Sequence, residues 1–149
     1  MKKNHLKRNA SNVVTFIIFI LIVYLALKYE WIDTKGLDRS SHINILTVNS
    51  IFAGFLFTSL GIIVGFMDKE KISNLDKNGY MDKYYNSIYL GLILHILSAV
   101  LAAFAFVQPI INRYEFYLLL EQIFLLGGIV YFISSVIYVK KIIDKVRNN

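Results

Sequence analysis

The sequence predicts an all-α membrane protein with four transmembrane helices, and three observations support this prediction. Residues 9–27, 40–67 and 84–112 contain no Asp, Glu, Lys or Arg, and residues 116–139 contain a single acid, Glu121. Of the 149 residues, 56% are hydrophobic and 17% are charged, whereas globular domains have about 25% charged residues. The basic residues are also distributed unevenly between the two ends of the apolar runs. A bilayer core about 30 Å thick needs roughly 20 apolar residues in helical form, so each run is long enough to span it.

The four spans form one membrane domain, because the short segments between them are too small to build a soluble domain. The first span is rich in Ile, Val and Phe, so we expect it to face lipid and to pack outside the other three. Pro109 follows the third span, where a helix can end without penalty. The predicted spans are residues 11–29, 42–67, 85–107 and 116–139 of a single domain, residues 1–149.

Residues 68–87, between the second and third spans, predict a short helix at the cytoplasmic membrane surface. Asn78 and Gly79 are expected to end it, with the glycine in the left-handed conformation. The next apolar residues follow at helical spacing and form one face. A solvated connector is the alternative. Contact with a cytoplasmic partner protein is expected at Tyr80, Tyr84 and Tyr85.

The distribution of Lys and Arg predicts that both termini are cytoplasmic. Four basic residues precede the first span, four lie between the second and third, and four follow the fourth, which places twelve on one side. The first loop with its flank contains three, and the third loop contains one, so four lie on the other side. Because basic residues concentrate on the cytoplasmic side, we expect a multi-pass cell-membrane protein. Topology therefore explains the net charge of +6, and no nucleic-acid partner is expected.

Three of the four spans carry a stripe of small or polar residues, and we expect these stripes to face each other. In lipid, small residues let helix backbones approach closely, so packing is the first interpretation and a pore lining the second. The glycines expected to pack are Gly54, Gly61, Gly65, Gly91 and Gly128. The stripes are Ser50, Gly54, Thr58, Gly61 and Gly65 in the second span; Ser87, Gly91, His95, Ser98, Ala102 and Ala105 in the third; and Glu121, Gly128, Ser135, Tyr131 and Tyr138 in the fourth.

Glu121 and His95 are the leading candidates for proton, ion or ligand handling, because titratable groups inside a membrane are costly. Glu121 lies about 8 Å below the outer edge of its span, at a depth similar to that of Asn49 and Ser50. His95 is expected at the level of Thr58. For both residues, a structural hydrogen bond is the alternative. The candidates for a pore or for a proton or ion path are Glu121, His95, Asn49, Ser50 and Thr58.

No catalytic motif, metal-ligand cluster or cofactor motif occurs in the sequence, so an enzyme, a metal site and a cofactor are not expected. Four spans with one membrane glutamate resemble the small multidrug transporters in outline. In that family the acid lies in the first helix, whereas Glu121 lies in the fourth, so no residue role is carried over.

Three functions compete on the sequence alone. The first is a self-associating, channel-like or membrane-permeabilising component, such as a bacterial toxin or phage-defence (antiviral) effector. The second is a non-conducting sensor, scaffold or accessory subunit acting through residues 68–87. The third is a small proton-coupled transporter that uses Glu121 and His95.

Overall fold

Each predicted apolar run forms a helix in the computed structural model, which describes residues 5–35, 37–67 and 69–148. Asp68, the first residue of the expected cytoplasmic segment, lies outside the described residues. In the described ranges the protein is all-helical, with five α-helices and one short 3₁₀ turn. The elements are α1 His5–Lys28, α2 Arg39–Gly65, α3 Glu70–Lys77, α4 Asp82–Val107, the turn Pro109–Arg113, and α5 Glu115–Asn148.

Three of the described helices, α2, α4 and α5, are long and apolar enough to cross a membrane. The apolar part of α1 is shorter and covers Asn12–Lys28. Helix α4 lies between α2 and α5 and packs against both, while α1 packs on the outside against α5 and α4. Most large apolar side chains of α1 are exposed, as expected for a helix that faces lipid.

Local chemistry defines several of the helix ends. Asp38 precedes α2 and accepts a hydrogen bond from the backbone N–H of Ser41 at 2.7 Å, which satisfies one of the free N–H groups of the first turn. Helix α4 ends at Val107, just before Pro109 as predicted, and Pro109 begins a 3₁₀ turn. Helix α5 continues past the apolar run to Asn148.

Helix α3 ends at the Asn78-Gly79 pair, as predicted. Gly79 has φ +76°, and its N–H donates to the carbonyl of Asp76 at 2.7 Å. The N–H of Tyr80 donates to the carbonyl of Leu75 at 3.0 Å, which completes a Schellman motif. This turn brings the first residues of α4 onto a core formed with the last turns of α5, and Met81, Tyr84 and Ile88 are fully buried there beside Ile142.

Candidate functional site

A chain of hydrogen-bonded polar side chains runs through the core between α2, α4 and α5. His42 Nδ1 lies 2.9 Å from Glu121 Oε1, and both side chains are fully buried. The backbone carbonyl of Glu121 accepts a hydrogen bond of 2.7 Å from Ser98 Oγ. Ser98 Oγ in turn accepts one of 2.8 Å from Asn49 Nδ2, and Asn49 Oδ1 lies 2.7 Å from His95 Nδ1. Five buried residues from three helices are thereby joined, and the link between Ser98 and Glu121 is made through the backbone carbonyl of Glu121.

The hydrogen-bond partners of Asn49 assign the direction of the chain. Its Nδ2 also lies 2.9 Å from the carbonyl of Ile45, and a carbonyl can only accept. The Asn49 atom that faces His95 is therefore the oxygen Oδ1, which can only accept a hydrogen bond. His95 must donate from Nδ1, so in the neutral ring Nε2 carries the lone pair.

Both ends of the chain contain a buried polar atom without a hydrogen-bond partner among the described residues. These atoms are Glu121 Oε2 and His95 Nε2. A buried polar atom that lacks a partner costs about 1–3 kcal/mol, and native structures contain few of them. Each of these two atoms is an acceptor to which a proton can bind, and the His95 ring packs against the backbone of Gly128.

Glycine and aromatic residues hold the ring of His95 in place. A Cβ atom on Gly128 would lie 2.6 Å from His95 Cε1, so the ring fits against α5 only because residue 128 is glycine. The Phe52 ring stacks on His95 with centroids 5.4 Å apart and an interplanar angle of 7°. Phe132 meets Phe52 edge-on at 4.8 Å. The imidazole therefore has one fixed orientation.

The spacing of residues along each helix directs these groups inward. On α2, His42, Asn49 and Leu56 are seven residues apart and are its buried residues. On α5, Glu121, Gly128 and Ser135 repeat at the same interval and are buried. All six residues of the predicted α4 stripe are also buried: Ser87, Gly91, His95, Ser98, Ala102 and Ala105.

The α2 stripe does not face the other helices of the chain, so our expectation that all three stripes meet was wrong for α2. Its five residues are exposed, and no atom lies within 4 Å of a Cβ placed on Gly54, Gly61 or Gly65. The opposite face carries His42 and Asn49, whose polar groups find partners in the core. Burying those groups with partners is more favourable than burying glycine and leaving them in lipid.

The predicted path residues therefore separate into two sets. Glu121, His95 and Asn49 belong to the buried chain, whereas Ser50 and Thr58 lie on the exposed face of α2. We expected His95 at the level of Thr58, but it bonds Asn49, which lies nine residues earlier in α2.

The tyrosines expected to contact a cytoplasmic partner also separate. Tyr80 is exposed, and Tyr85 is half-buried with its hydroxyl 3.3 Å from Met67 Sδ. Tyr84 is fully buried, so the prediction that it forms part of a contact surface was wrong. It shares a face of α4 with Ile88, and both pack into the core together with Met81, which directly precedes the helix.

Sequence reasoning missed His42 as the partner of Glu121. The signal was present, because His42 lies one heptad before Asn49 and at the same end of the bundle as Glu121. Gln122 has a related role: its side chain accepts from the N–H of Asp33 at 3.1 Å and donates to the carbonyl of Asp33 at 2.7 Å, which ties the first loop to α5. Within the described ranges, no three His, Asp or Glu side chains are arranged to hold a metal ion.

Comparison with protein-family models, with curated proteins and with solved structures found no match to this chain.

Proposed function

We propose that the protein is a membrane transporter that couples the movement of a solute or ion to proton binding in its core. The observation that carries this proposal is the buried polar chain, which ends in unpartnered atoms at Glu121 Oε2 and His95 Nε2. A core that served packing alone would have its polar atoms paired or replaced by apolar groups, because each unpaired atom destabilises the fold.

The His42–Glu121 pair holds one proton at no net charge. The proton can lie on the imidazole, giving an ion pair, or on the carboxyl, giving two neutral groups. Adding a second proton or removing the first leaves an uncompensated charge in a site closed to water, and such a charge is costly. A change in protonation of the pair therefore requires the surrounding helices to move, and this requirement couples proton binding to conformation.

The proposal includes a topology with four spans and both termini in the cytoplasm. Its support is the placement of twelve basic residues on one side against four on the other. Helix α1 is the additional span, with its exposed apolar side chains facing lipid. In this arrangement α3 lies at the cytoplasmic surface, and the His42–Glu121 pair lies toward the outer side.

The test is proton movement in proteoliposomes that contain a pH-sensitive dye. A pH gradient with a clamped membrane potential is applied, and the rate of proton uptake into the vesicles is compared for the wild type, Glu121→Gln and His42→Gln. We expect both variants to lose proton uptake, because Gln cannot exchange a proton. Glu115→Gln is the matched control, since Glu115 is an exposed acid in the first turn of the same helix.

The proposal fails if Glu121→Gln, folded and inserted, moves protons as the wild type does. A loss of equal size in Glu115→Gln would also count against it, because the effect would then follow from surface charge rather than from the buried pair.

A homo-oligomeric, channel-like assembly is the second candidate, and the exposed α2 stripe favours it. Five small or hydroxyl residues open onto the outer surface of this helix, where another copy could approach closely. A pore between copies would be lined by Ser50 and Thr58, and such a pore would give the permeabilising activity expected of a toxin or phage-defence effector.

The absence of cysteine from the chain makes this candidate directly testable. Gly54→Cys should form a disulfide-linked dimer in membranes under oxidation, whereas Ile93→Cys, on an exposed face of α4, should not. Equal cross-linking of the two variants would refute association through α2. In planar bilayers, Thr58→Cys should let a thiol reagent block the current, and an unaffected current would remove Thr58 from the pore.

A further inference from the structure

A groove opens at the end of the bundle opposite the His42–Glu121 pair. It lies between the last turns of α2, the helix α3, the start of α4 and the end of α5, and its volume is about 860 Å³. That volume is within the range of roughly 300–1,000 Å³ that small-molecule sites occupy. Its walls are mainly apolar and include Ile62, Phe66 and Ile143, which are each more than half exposed.

Cations outnumber anions among the residues that line the groove. Lys69, Lys71 and Arg147 line it together with one acid, Glu70. Lys71 Nζ donates to the carbonyl of Val146 at 3.3 Å, which holds the end of α5 near α3. Among the residues that the structure describes, the side chains of Lys69 and Arg147 form no ion pair. The groove therefore combines apolar walls with an excess of positive charge.

We propose that the groove binds one anionic phospholipid, with an acyl chain along the apolar walls and the phosphate near Lys69, Lys71 and Arg147. The groove lies where the apolar spans meet a basic flank, which is the level of the lipid headgroups. Anionic lipid is attracted to clustered Lys and Arg at this level. A partner helix would fill the apolar walls but would leave the cations without anions. The inference depends on a membrane location and is independent of proton coupling.

Native mass spectrometry of the delipidated, detergent-purified protein tests this inference. The protein is titrated with dioleoyl phosphatidylglycerol and, separately, with dioleoyl phosphatidylcholine, which has the same chains and no net charge. We expect the anionic lipid to bind more tightly by at least tenfold. The triple variant Lys69→Gln/Lys71→Gln/Arg147→Gln should lose this preference, because each cation removed lowers the affinity for the anionic lipid by about fivefold.

The matched control is Lys77→Gln/Lys83→Gln/Lys140→Gln, which removes the same charge from positions outside the groove. This control should keep the preference for the anionic lipid. Equal binding of the two lipids by the wild type would overturn the proposal. An equal loss of preference in the control would also overturn it, because lipid attraction would then be a property of the whole basic surface. Occupancy of the groove by a protein segment alone, with no lipid bound, would overturn it as well.

Discussion

Replacing Gly128 by alanine tests the packing that fixes the central histidine. The added Cβ would lie 2.6 Å from Cε1 of His95 and 2.7 Å from both ring nitrogens. Real Cβ atoms do not approach other atoms this closely, so either the ring or α5 must move. The ring is constrained on its other sides by the stacked Phe52 and by the 2.7 Å hydrogen bond to Asn49.

The expected change in the free energy of unfolding combines two costs and one gain. Overpacking in a filled core costs about 1–3 kcal/mol, and losing the Asn49 hydrogen bond would cost about 1 kcal/mol. Alanine gains about 1 kcal/mol over glycine in helix propensity. We therefore expect Gly128→Ala to lower the free energy of unfolding by about 1–3 kcal/mol, a factor of about 5–150 in the ratio of folded to unfolded protein.

The assay is reversible unfolding by SDS in mixed micelles, followed by circular dichroism. Gly54→Ala and Gly61→Ala are matched controls, because nothing lies within 4 Å of their added Cβ atoms, and both should unfold at the wild-type midpoint or higher. The double variant Gly128→Ala/His95→Ala should show no additional cost from the alanine at 128. Wild-type stability of Gly128→Ala, or an undiminished cost in the double variant, would refute the reasoning.

Three further predictions concern the buried pair and two helix ends. His42→Leu leaves Glu121 buried without its partner and should lower the free energy of unfolding by about 3–5 kcal/mol in the same SDS titration. The double variant His42→Leu/Glu121→Leu should recover most of that loss, because no buried charge is left unpaired. Equal stabilities of the two variants would contradict this. Glu30 lies two residues beyond the end of α1 with φ 54°, a conformation that favours glycine. Glu30→Gly should therefore raise the free energy of unfolding by about 1 kcal/mol and shift the SDS midpoint upward, and a lowered midpoint would count against it. The Ser41 hydroxyl, followed by its backbone N–H, holds the pKa of Asp38 below its ordinary value of 3.8. The stabilisation from this cap is therefore fully present above pH 3.8 and is lost as the pH falls through the lower pKa of the folded protein. Acid titration by circular dichroism should show that loss, and Asp38→Ala should remove it.

The helices could be predicted from the sequence because the membrane restricts the possible structures strongly. Backbone groups in lipid must be satisfied within a helix, so long uncharged runs are sufficient to indicate helices. The boundaries were accurate where local chemistry defines them, as at Pro109 and Gly79. The start of α2 was placed three residues late, because the cap at Asp38 belongs to a charged loop that the apolar pattern does not include.

The partners within the site could not be predicted, because they depend on how the helices rotate. The small residues on α2 were expected to face inward. They face outward, because this rotation of the helix places His42 and Asn49 in the core. Depth along a helix was also a poor guide to contact. It placed His95 level with Thr58, whereas His95 bonds Asn49, about 13 Å nearer the start of α2 at 1.5 Å per residue.

An apolar layer separates the polar chain from the groove, and its position bears on the proposed coupling. Leu56, Gly91 and Tyr131 meet between the two polar regions, and a Cβ on Gly91 would lie only 2.9 Å from Leu56 Cδ1. Proton movement beyond His95 would require α2 and α4 to separate at this layer. A transporter needs such a barrier, because a continuous polar path would dissipate the proton gradient. Proton coupling therefore requires the layer to open in step with protonation at the His42–Glu121 pair, while lipid binding in the groove does not require it.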